Sequence, residues 1–136
     1  MLAPVALMDN EQLGEVLEDN CRMIDARPGR WLVEFAGRRM LVVTDEVQDR
    51  MRIMSIVASC EDLRPREFRV LLAANFDRTL DARYAIAGGY LWSAYLHPLA
   101  DLTEEQVAAG LRQVAALAEN YGTTYAASEL AFTGGR

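Results

Sequence analysis

The first apolar stripe of the chain predicts an amphipathic helix. Asp9 followed by Gln12 suits a helix start, because a short side-chain acceptor can bond the unpaired amides of the first turn. Apolar residues then recur at spacings of three and four, at Leu13, Val16, Leu17, Cys21 and Ile24. Pro28 and Gly29 end this pattern. The spacing therefore predicts a helix over residues 9–25.

The next segment predicts a three-stranded antiparallel meander. Residues 31–36 alternate around Trp31, and a tight turn at Ala36-Gly37 leads into residues 39–44, which are rich in β-branched and apolar side chains. An acidic loop follows, and the apolar residues 51–58 predict the third strand.

The second half predicts two helices around a hairpin. Pro65 suits the first turn of a helix over residues 64–77, whose apolar face is predicted from Phe68, Leu71, Leu72 and Phe76, with Leu80 just beyond. Gly88-Gly89 allows the positive φ angles of a two-residue turn between strands 83–87 and 90–96. Thr103 and Gln106 form a capping box for a helix over residues 103–121, which Gly122 ends. The order is α-β-β-β-α-β-β-α, an α+β fold with helices packed on an antiparallel sheet.

Length and charge bound the remaining possibilities. At 136 residues we expect a single domain over residues 1–136, ordered from about 9 to 125, with a flexible tail at 127–136. The net charge of -6 argues against a nucleic-acid partner. All 14 basic residues are arginine, which fits either codon bias or selection for guanidinium contacts, and it excludes lysine chemistry. The chain shows neither a secretory signal nor a membrane span, so we expect a cytoplasmic protein.

No residue pattern predicts catalysis, a metal or a cofactor. His97 is the single histidine, and Ser93 on the same predicted strand is too far along it for a hydrogen bond. Cys21 and Cys60 fit reduced, buried thiols. The cluster of Asp45, Glu46 and Asp49 is more typical of a solvated loop than of a cation site. The pair Asp77 and Asp81 is more typical of a helix end than of an acid–base site.

The aromatic residues of the last strand suggest a surface for a partner. Tyr90 and Trp92 point to one face and Tyr95 to the other, so they belong either to the core or to a binding surface. The candidate partner-binding residues are Trp92, Tyr90, Trp31, Arg38 and Arg39, the last two because arginine makes charge-assisted contacts with acidic partners.

The segments around Asn75-Phe76-Asp77, Gly88-Gly89 and Leu102 to Gln106 occupy helix-end, hairpin and helix-cap positions. In these positions and in the order of its elements, the chain resembles the YbjN-like group, whose fold is shared with type III secretion chaperones. The resemblance covers roughly residues 9–125. It implies helices on one face of a curved antiparallel sheet, and a small acidic dimer that holds an extended partner segment on an apolar surface.

Two hypotheses about function follow. The first is a non-catalytic protein-binding module, a chaperone or a regulatory adaptor, that acts as a homodimer through strand 90–96 and the second helix. It predicts an exposed apolar groove or sheet face. The alternative is a small-molecule sensor or an enzyme with an unrecognised site, which predicts an enclosed pocket with convergent polar groups.

Overall fold

The computed structural model describes residues 7–77 and 79–121. Their elements run α1 (Asn10–Asn20), β1 (Arg22–Arg27), β2 (Arg30–Phe35), β3 (Arg38–Asp45), β4 (Arg50–Ser59), a 3-10 turn (Cys60–Asp62), α2 (Pro65–Asp77), β5 (Arg83–Ala87), β6 (Tyr90–His97) and α3 (Glu104–Asn120). The strands form one antiparallel sheet in the order β1-β2-β3-β4-β6-β5. The α+β prediction is confirmed. The predicted tail at 127–136 and the helix stop at Gly122 lie outside the described residues.

The prediction was wrong about the end of the first helix and about the number of strands. The helix ends at Asn20, whose side-chain amide donates to the carbonyl of Val16 over 2.8 Å. The chain then enters β1, a strand that the predicted set of five did not include. A bulge between Met23 and Asp25 interrupts the alternation of β1. Because the bulge interrupts the two-residue period of the strand, the spacing of three from Cys21 to Ile24 fitted a helix equally well.

The helix caps agree with the sequence. Asp9 accepts a hydrogen bond from the Gln12 amide over 2.8 Å. At α3, the Thr103 hydroxyl accepts from the Gln106 amide over 3.1 Å, while the Gln106 side chain accepts from the Thr103 amide over 2.9 Å. This reciprocal pair is the predicted capping box.

Two tight turns set the strand register. Ala36 and Gly37 have φ angles of 53° and 75°, and Gly88 and Gly89 have φ angles of 58° and 82°. Two consecutive positive φ angles are the signature of the hairpin turn whose twist matches the flanking strands. The predicted hairpins 31–44 and 83–96 are confirmed.

The helices cover one face of the sheet. α3 packs against β4, β5 and β6, α1 packs against β1, β2 and α3, and α2 packs against the edge strand β5. Between them lies the core, which includes Leu13, Leu17, Val33, Met40, Val42, Met51, Ile53, Leu91, Leu111 and Val114. α3 reaches the sheet closely at Gly110, where an added Cβ would lie 2.7 Å from the Tyr95 ring. None of the helices in the described part of the chain combines the length and hydrophobicity of a membrane span.

Candidate binding surface

The face of the sheet that points away from the helices carries a row of apolar side chains across its middle. We call this face the open face, since no helix among the described residues packs on it. Its central row consists of side chains that are paired in register on four neighbouring strands: Leu32, Leu41, Met54 and Ala94. Ile56 and Trp92 form the next pair along β4 and β6. Such an apolar row on a sheet face needs cover from another surface.

A groove of about 560 Å³ runs over this face. Its walls are formed by Leu32, Arg38, Arg39, Leu41, Met54, Ile56 and Trp92. The groove is wide and open rather than enclosed, and apolar side chains form most of its floor. This shape can take the alternate side chains of an extended peptide, and it does not surround a small molecule.

Trp92 and Tyr90 lie on the same face of β6, as their alternation predicted, and this face is the open face. The Trp92 indole donates a hydrogen bond to the Ala87 carbonyl over 2.9 Å, which holds the half-exposed ring across the β5–β6 hairpin. Tyr90, at the start of β6, is 44% exposed. Tyr95 points to the opposite, helix-covered face and is buried.

Arg38 and Arg39 meet Trp92 at the groove. They begin β3 just after the Ala36-Gly37 turn, and both line the groove wall. The Ser55 hydroxyl donates to the Arg39 carbonyl over 2.9 Å, which ties this end of β3 to β4. The structure therefore brings together three of the five candidate residues, from strands that are distant in sequence.

Trp31 does not belong to this surface, contrary to the sequence-based expectation. It lies on the helix-covered face, is 6% exposed, and packs in the core with its indole 3.4 Å from the Cβ position of Gly14 on α1. Residue alternation fixed the side of β2 on which Trp31 lies, but it did not tell which side the helices cover.

The polar candidates for chemistry have structural partners. Ser93 is buried and donates to the Val114 carbonyl of α3 over 3.0 Å. His97 ends β6, with Nδ1 2.8 Å from the Pro98 carbonyl, and its ring stacks on Tyr95 with centroids 6.2 Å apart. Ser93 and His97 therefore bond two different backbone carbonyls, those of Val114 and Pro98, and not each other.

The acidic and thiol groups also have simple roles. Asp45 accepts from the Gln48 amide over 3.0 Å within the β3–β4 turn, and Asp49 accepts from the Ala100 amide over 2.9 Å, which ties that turn to the loop before α3. Among the described residues, no three potential ligands gather as a metal site requires. Cys21 and Cys60 are free thiols, and burial raises the pKa of the Cys21 thiol to about 11.

A cavity of about 310 Å³ lies between α3 and the loop that precedes β5. Its polar lining residues are Thr79, Arg112 and Gln113. The Gln113 carbonyl oxygen accepts from the Asp81 and Ala82 amides over 2.8 and 3.0 Å, and its amide group donates to the Asp81 carboxylate over 3.3 Å. These bonds hold the loop on α3 and leave Gln113 little capacity for a ligand.

The structure also shows a second exposed apolar surface that the helical pattern of α2 only partly predicted. Leu71 is buried as expected, and Phe68 is half-buried, but Leu72 and Phe76 point to solvent. We call the exposed apolar side chains of α2, of β5 and of the loop between them the α2–β5 patch: Leu72, Phe76, Leu80 and Ile86. Phe76 is 91% exposed. The spacing of four from Leu72 to Phe76 to Leu80 is the sequence signal for this second stripe.

Solved structures of other proteins share the fold of this chain. No protein-family model matches the chain, and no curated protein matches it significantly. Among solved structures, the HopA1–SchA chaperone–effector complex matches with a TM-score of 0.61 and 7% identity, covering 79% of this chain and 87% of the matched chain. The ExsC–ExsE complex matches with a TM-score of 0.56 and 19% identity, covering 70% and 74%. YbjN from E. coli matches with a TM-score of 0.50 and 14% identity, covering 80% and 85%. The chain therefore has the fold that YbjN shares with type III secretion chaperones, as its resemblance implied.

Proposed function

We propose that this protein is a non-catalytic, homodimeric protein-binding module of the cytoplasm, a chaperone or a regulatory adaptor, and that its partner lies on the open face. The observation that carries the proposal is the groove between β2, β3, β4 and β6, whose apolar floor the described helices leave uncovered. Soluble monomers seldom leave a contiguous apolar surface of this kind in water, and such surfaces mark interaction sites.

The exposure of individual side chains supports an interface rather than a core. Ile56 is 45% exposed and Leu96 is 52% exposed, although both lie in the middle strands β4 and β6 of the sheet. Trp92 and Tyr90 add aromatic area beside them, and aromatic side chains carry much of the binding energy in protein interfaces. An extended partner segment would bury these groups and fix its register through the apolar row.

The structural neighbours point in the same direction. HopA1–SchA is a chaperone–effector complex, and ExsC–ExsE is a complex of two proteins. The fold therefore supports a protein partner for this chain, while the geometry of the open face supports where that partner binds.

The α2–β5 patch supports the homodimer. Leu72, Phe76, Leu80 and Ile86 are each more than half exposed, and they lie at the β5 edge of the sheet. A two-fold pairing of this patch would cover the same side chains on both copies and shield an exposed strand edge. The open face would remain accessible, because it is a different surface of the sheet.

Affinity capture from the native cell tests the partner surface. We expect wild-type protein and Val47→Ser to retain a co-purifying protein that Ile56→Ser and Trp92→Ala lose. Val47 is a matched control because it is apolar, 91% exposed, and placed in the β3–β4 turn away from the groove. Equal retention by all four proteins would refute the open face as the partner site.

Sedimentation at micromolar concentration tests the dimer separately. We expect wild-type protein and Val47→Glu to sediment as dimers and Phe76→Glu to sediment as a monomer, because a carboxylate would be buried in the paired patch. Phe76 and Val47 are equally exposed at 91%, so both substitutions should leave the monomer folded. A monomeric wild-type protein would contradict the homodimer.

A further inference from the structure

The arginines of this acidic chain are concentrated on the open face. By strand register, six of the 14 arginines project from it, together with three of the 20 carboxylates. The arginines are Arg22, Arg27, Arg30, Arg39, Arg50 and Arg52. Arg83 also starts on this face, but its guanidinium donates to the Thr79 hydroxyl and to the Leu80 and Ala82 carbonyls of the loop before β5. The carboxylates are Asp25, Glu34 and Asp45. The open face is thus positive although the chain carries a net charge of -6.

The helix-covered side has the opposite sign. α1 and α3 together contain seven carboxylates and one arginine, Arg112. The carboxylates are Glu11, Glu15, Glu18, Asp19, Glu104, Glu105 and Glu119. A charge distribution of this kind steers an acidic partner toward the sheet and away from the helices.

Most of the negative charge on the open face is already paired within the chain. Arg22 bonds Glu34 over 3.0 Å, and Arg27 bonds Asp25 over 3.1 Å, both at the β1–β2 edge. The Arg22 guanidinium, with a smaller contribution from Arg39, lowers the pKa of Glu34. Glu34 therefore stays ionised and fixes the positive charge of Arg22 at the rim.

Three of the other arginines flank the apolar row. Arg39 precedes Leu41 by two residues on β3, Arg30 precedes Leu32 on β2, and Arg52 precedes Met54 on β4. Arg30 and Arg52 form no ion pair with another described residue, and Arg39 lies opposite Glu34, which is already bonded to Arg22. Because β3 runs antiparallel to β2 and β4, Arg39 lies on one side of the row, and Arg30 and Arg52 lie on the other. Each side is about 7 Å from the row, two residues along a strand.

We propose that the occupant of the open face is an extended protein segment in which acidic side chains alternate with apolar anchors. This inference rests on the function proposed above and names the chemistry of the partner. The apolar anchors fill the row of Leu32, Leu41 and Met54, and the carboxylates reach the guanidinium groups on either side. Arginine suits this role, since it binds a carboxylate through two parallel hydrogen bonds and still packs against apolar groups.

The same arrangement fits a protein better than a nucleic acid. A phosphate backbone needs a continuous basic track, whereas these arginines are separated by an apolar row and interrupted by Glu34. A protein segment with isolated carboxylates between apolar residues can place each carboxylate beside one of these separated arginines.

Defined peptides test this inference without knowledge of the natural partner. The probes are three fluorescent, end-blocked decapeptides in which leucine alternates with glutamate, serine or lysine, and a thymidine decanucleotide serves as the fourth. Binding is measured by anisotropy for wild-type protein, for the double variant Arg39→Glu/Arg52→Glu, and for Arg112→Glu. Arg112 is the matched control because it is exposed on α3, away from the open face.

We expect the glutamate peptide to bind wild-type protein and Arg112→Glu about tenfold more tightly than the serine peptide, the ratio for one charge-assisted hydrogen bond of about 1.4 kcal/mol. The double variant should lose this preference or bind the lysine peptide more tightly instead. Added salt should weaken the preference of wild-type protein for the glutamate peptide. Equal binding of the three peptides, or binding of none, overturns the acidic-segment inference, whereas the proposed function is judged by the capture experiment with Ile56→Ser. Binding of the decanucleotide that is lost in the double variant overturns it in favour of a single-stranded nucleic acid.

Discussion

Because α3 approaches the sheet closely at Gly110, we predict that Gly110→Ala lowers the stability of the protein, whereas Gly14→Ala raises it. Gly14 and Gly110 each lie inside a helix, α1 and α3. Replacing glycine with alanine inside a helix ordinarily adds about 0.8–1.0 kcal/mol of stability. The two sites differ in the room available for an added Cβ, so packing decides whether alanine raises or lowers stability.

At Gly110 the new methyl group would lie 2.7 and 2.8 Å from two carbons of the Tyr95 ring and 3.0 Å from Ile53 Cδ1. Ordinary carbon contacts are about 3.5–4.0 Å, so α3 or the Tyr95 ring must move by roughly 1 Å. Tyr95 is 4% exposed and stacks on His97, which leaves it little freedom. Overpacking of this kind costs about 1–3 kcal/mol. After the gain in helix propensity is subtracted, Gly110→Ala should lower the free energy of unfolding by up to about 2 kcal/mol.

At Gly14 the nearest atom to the new methyl group is the Trp31 indole nitrogen at 3.4 Å, an ordinary contact. Gly14→Ala should therefore gain up to about 1 kcal/mol. Urea denaturation of both variants beside wild-type protein measures the two changes, and thermal melting should shift in opposite directions. If Gly110→Ala gains as much stability as Gly14→Ala, α3 does not seat on β6 as described, and the assignment of the covered and open faces is wrong.

Three further predictions concern Trp31, Trp92, Cys21 and His97. Trp31→Ala should lose about 3–5 kcal/mol of stability because it empties a core site, whereas Trp92→Ala should melt close to wild-type protein and weaken partner capture by more than about 1 kcal/mol; a large melting shift for Trp92→Ala would assign Trp92 to the core. Because the pKa of Cys21 is raised to about 11, its contribution to stability is complete below about pH 8.5, where the unfolded thiol is protonated, and is lost as the pH rises toward 11. Urea denaturation from pH 8 to 10.5 should then show a smaller decline for Cys21→Ala, and an identical decline in both proteins would contradict this. His97→Ala should keep full partner capture, and loss of capture without loss of stability would overturn the non-catalytic proposal.

The features that the sequence predicted correctly are local. The Thr103–Gln106 capping box and the Gly88-Gly89 turn depend on residues within three positions of each other, and their side-chain and φ preferences act wherever the chain goes. β1 was missed because its bulge at Ile24 removes the two-residue period, so its apolar residues fit a helix as well as a strand.

The features that the sequence could not predict depend on long-range pairing. Trp92 reaches the groove because β6 pairs with β4 across the intervening α2 and β5, and Arg39 reaches it through β3. Trp31 has the same apolar pattern on its strand as Trp92, yet it is buried because α1 covers its side of the sheet. The spacing of Leu72 and Phe76 marks an apolar stripe but not its exposure, since a helix face that packs on another subunit has the same composition as one that packs in a core.

Site-specific photocrosslinking tests the central claim most directly. A benzophenone amino acid is placed at Ile56 on the open face and, in a second protein, at Glu15 on the exposed side of α1. Each protein is irradiated in the native cell, and the crosslinked partner is mapped by mass spectrometry. We predict that Ile56 crosslinks to one continuous segment of a partner protein, rich in alternating apolar and acidic residues, and that Glu15 does not crosslink to that segment. Crosslinking of the same segment from Glu15 and not from Ile56 would contradict the account, because the partner would then lie on the helices.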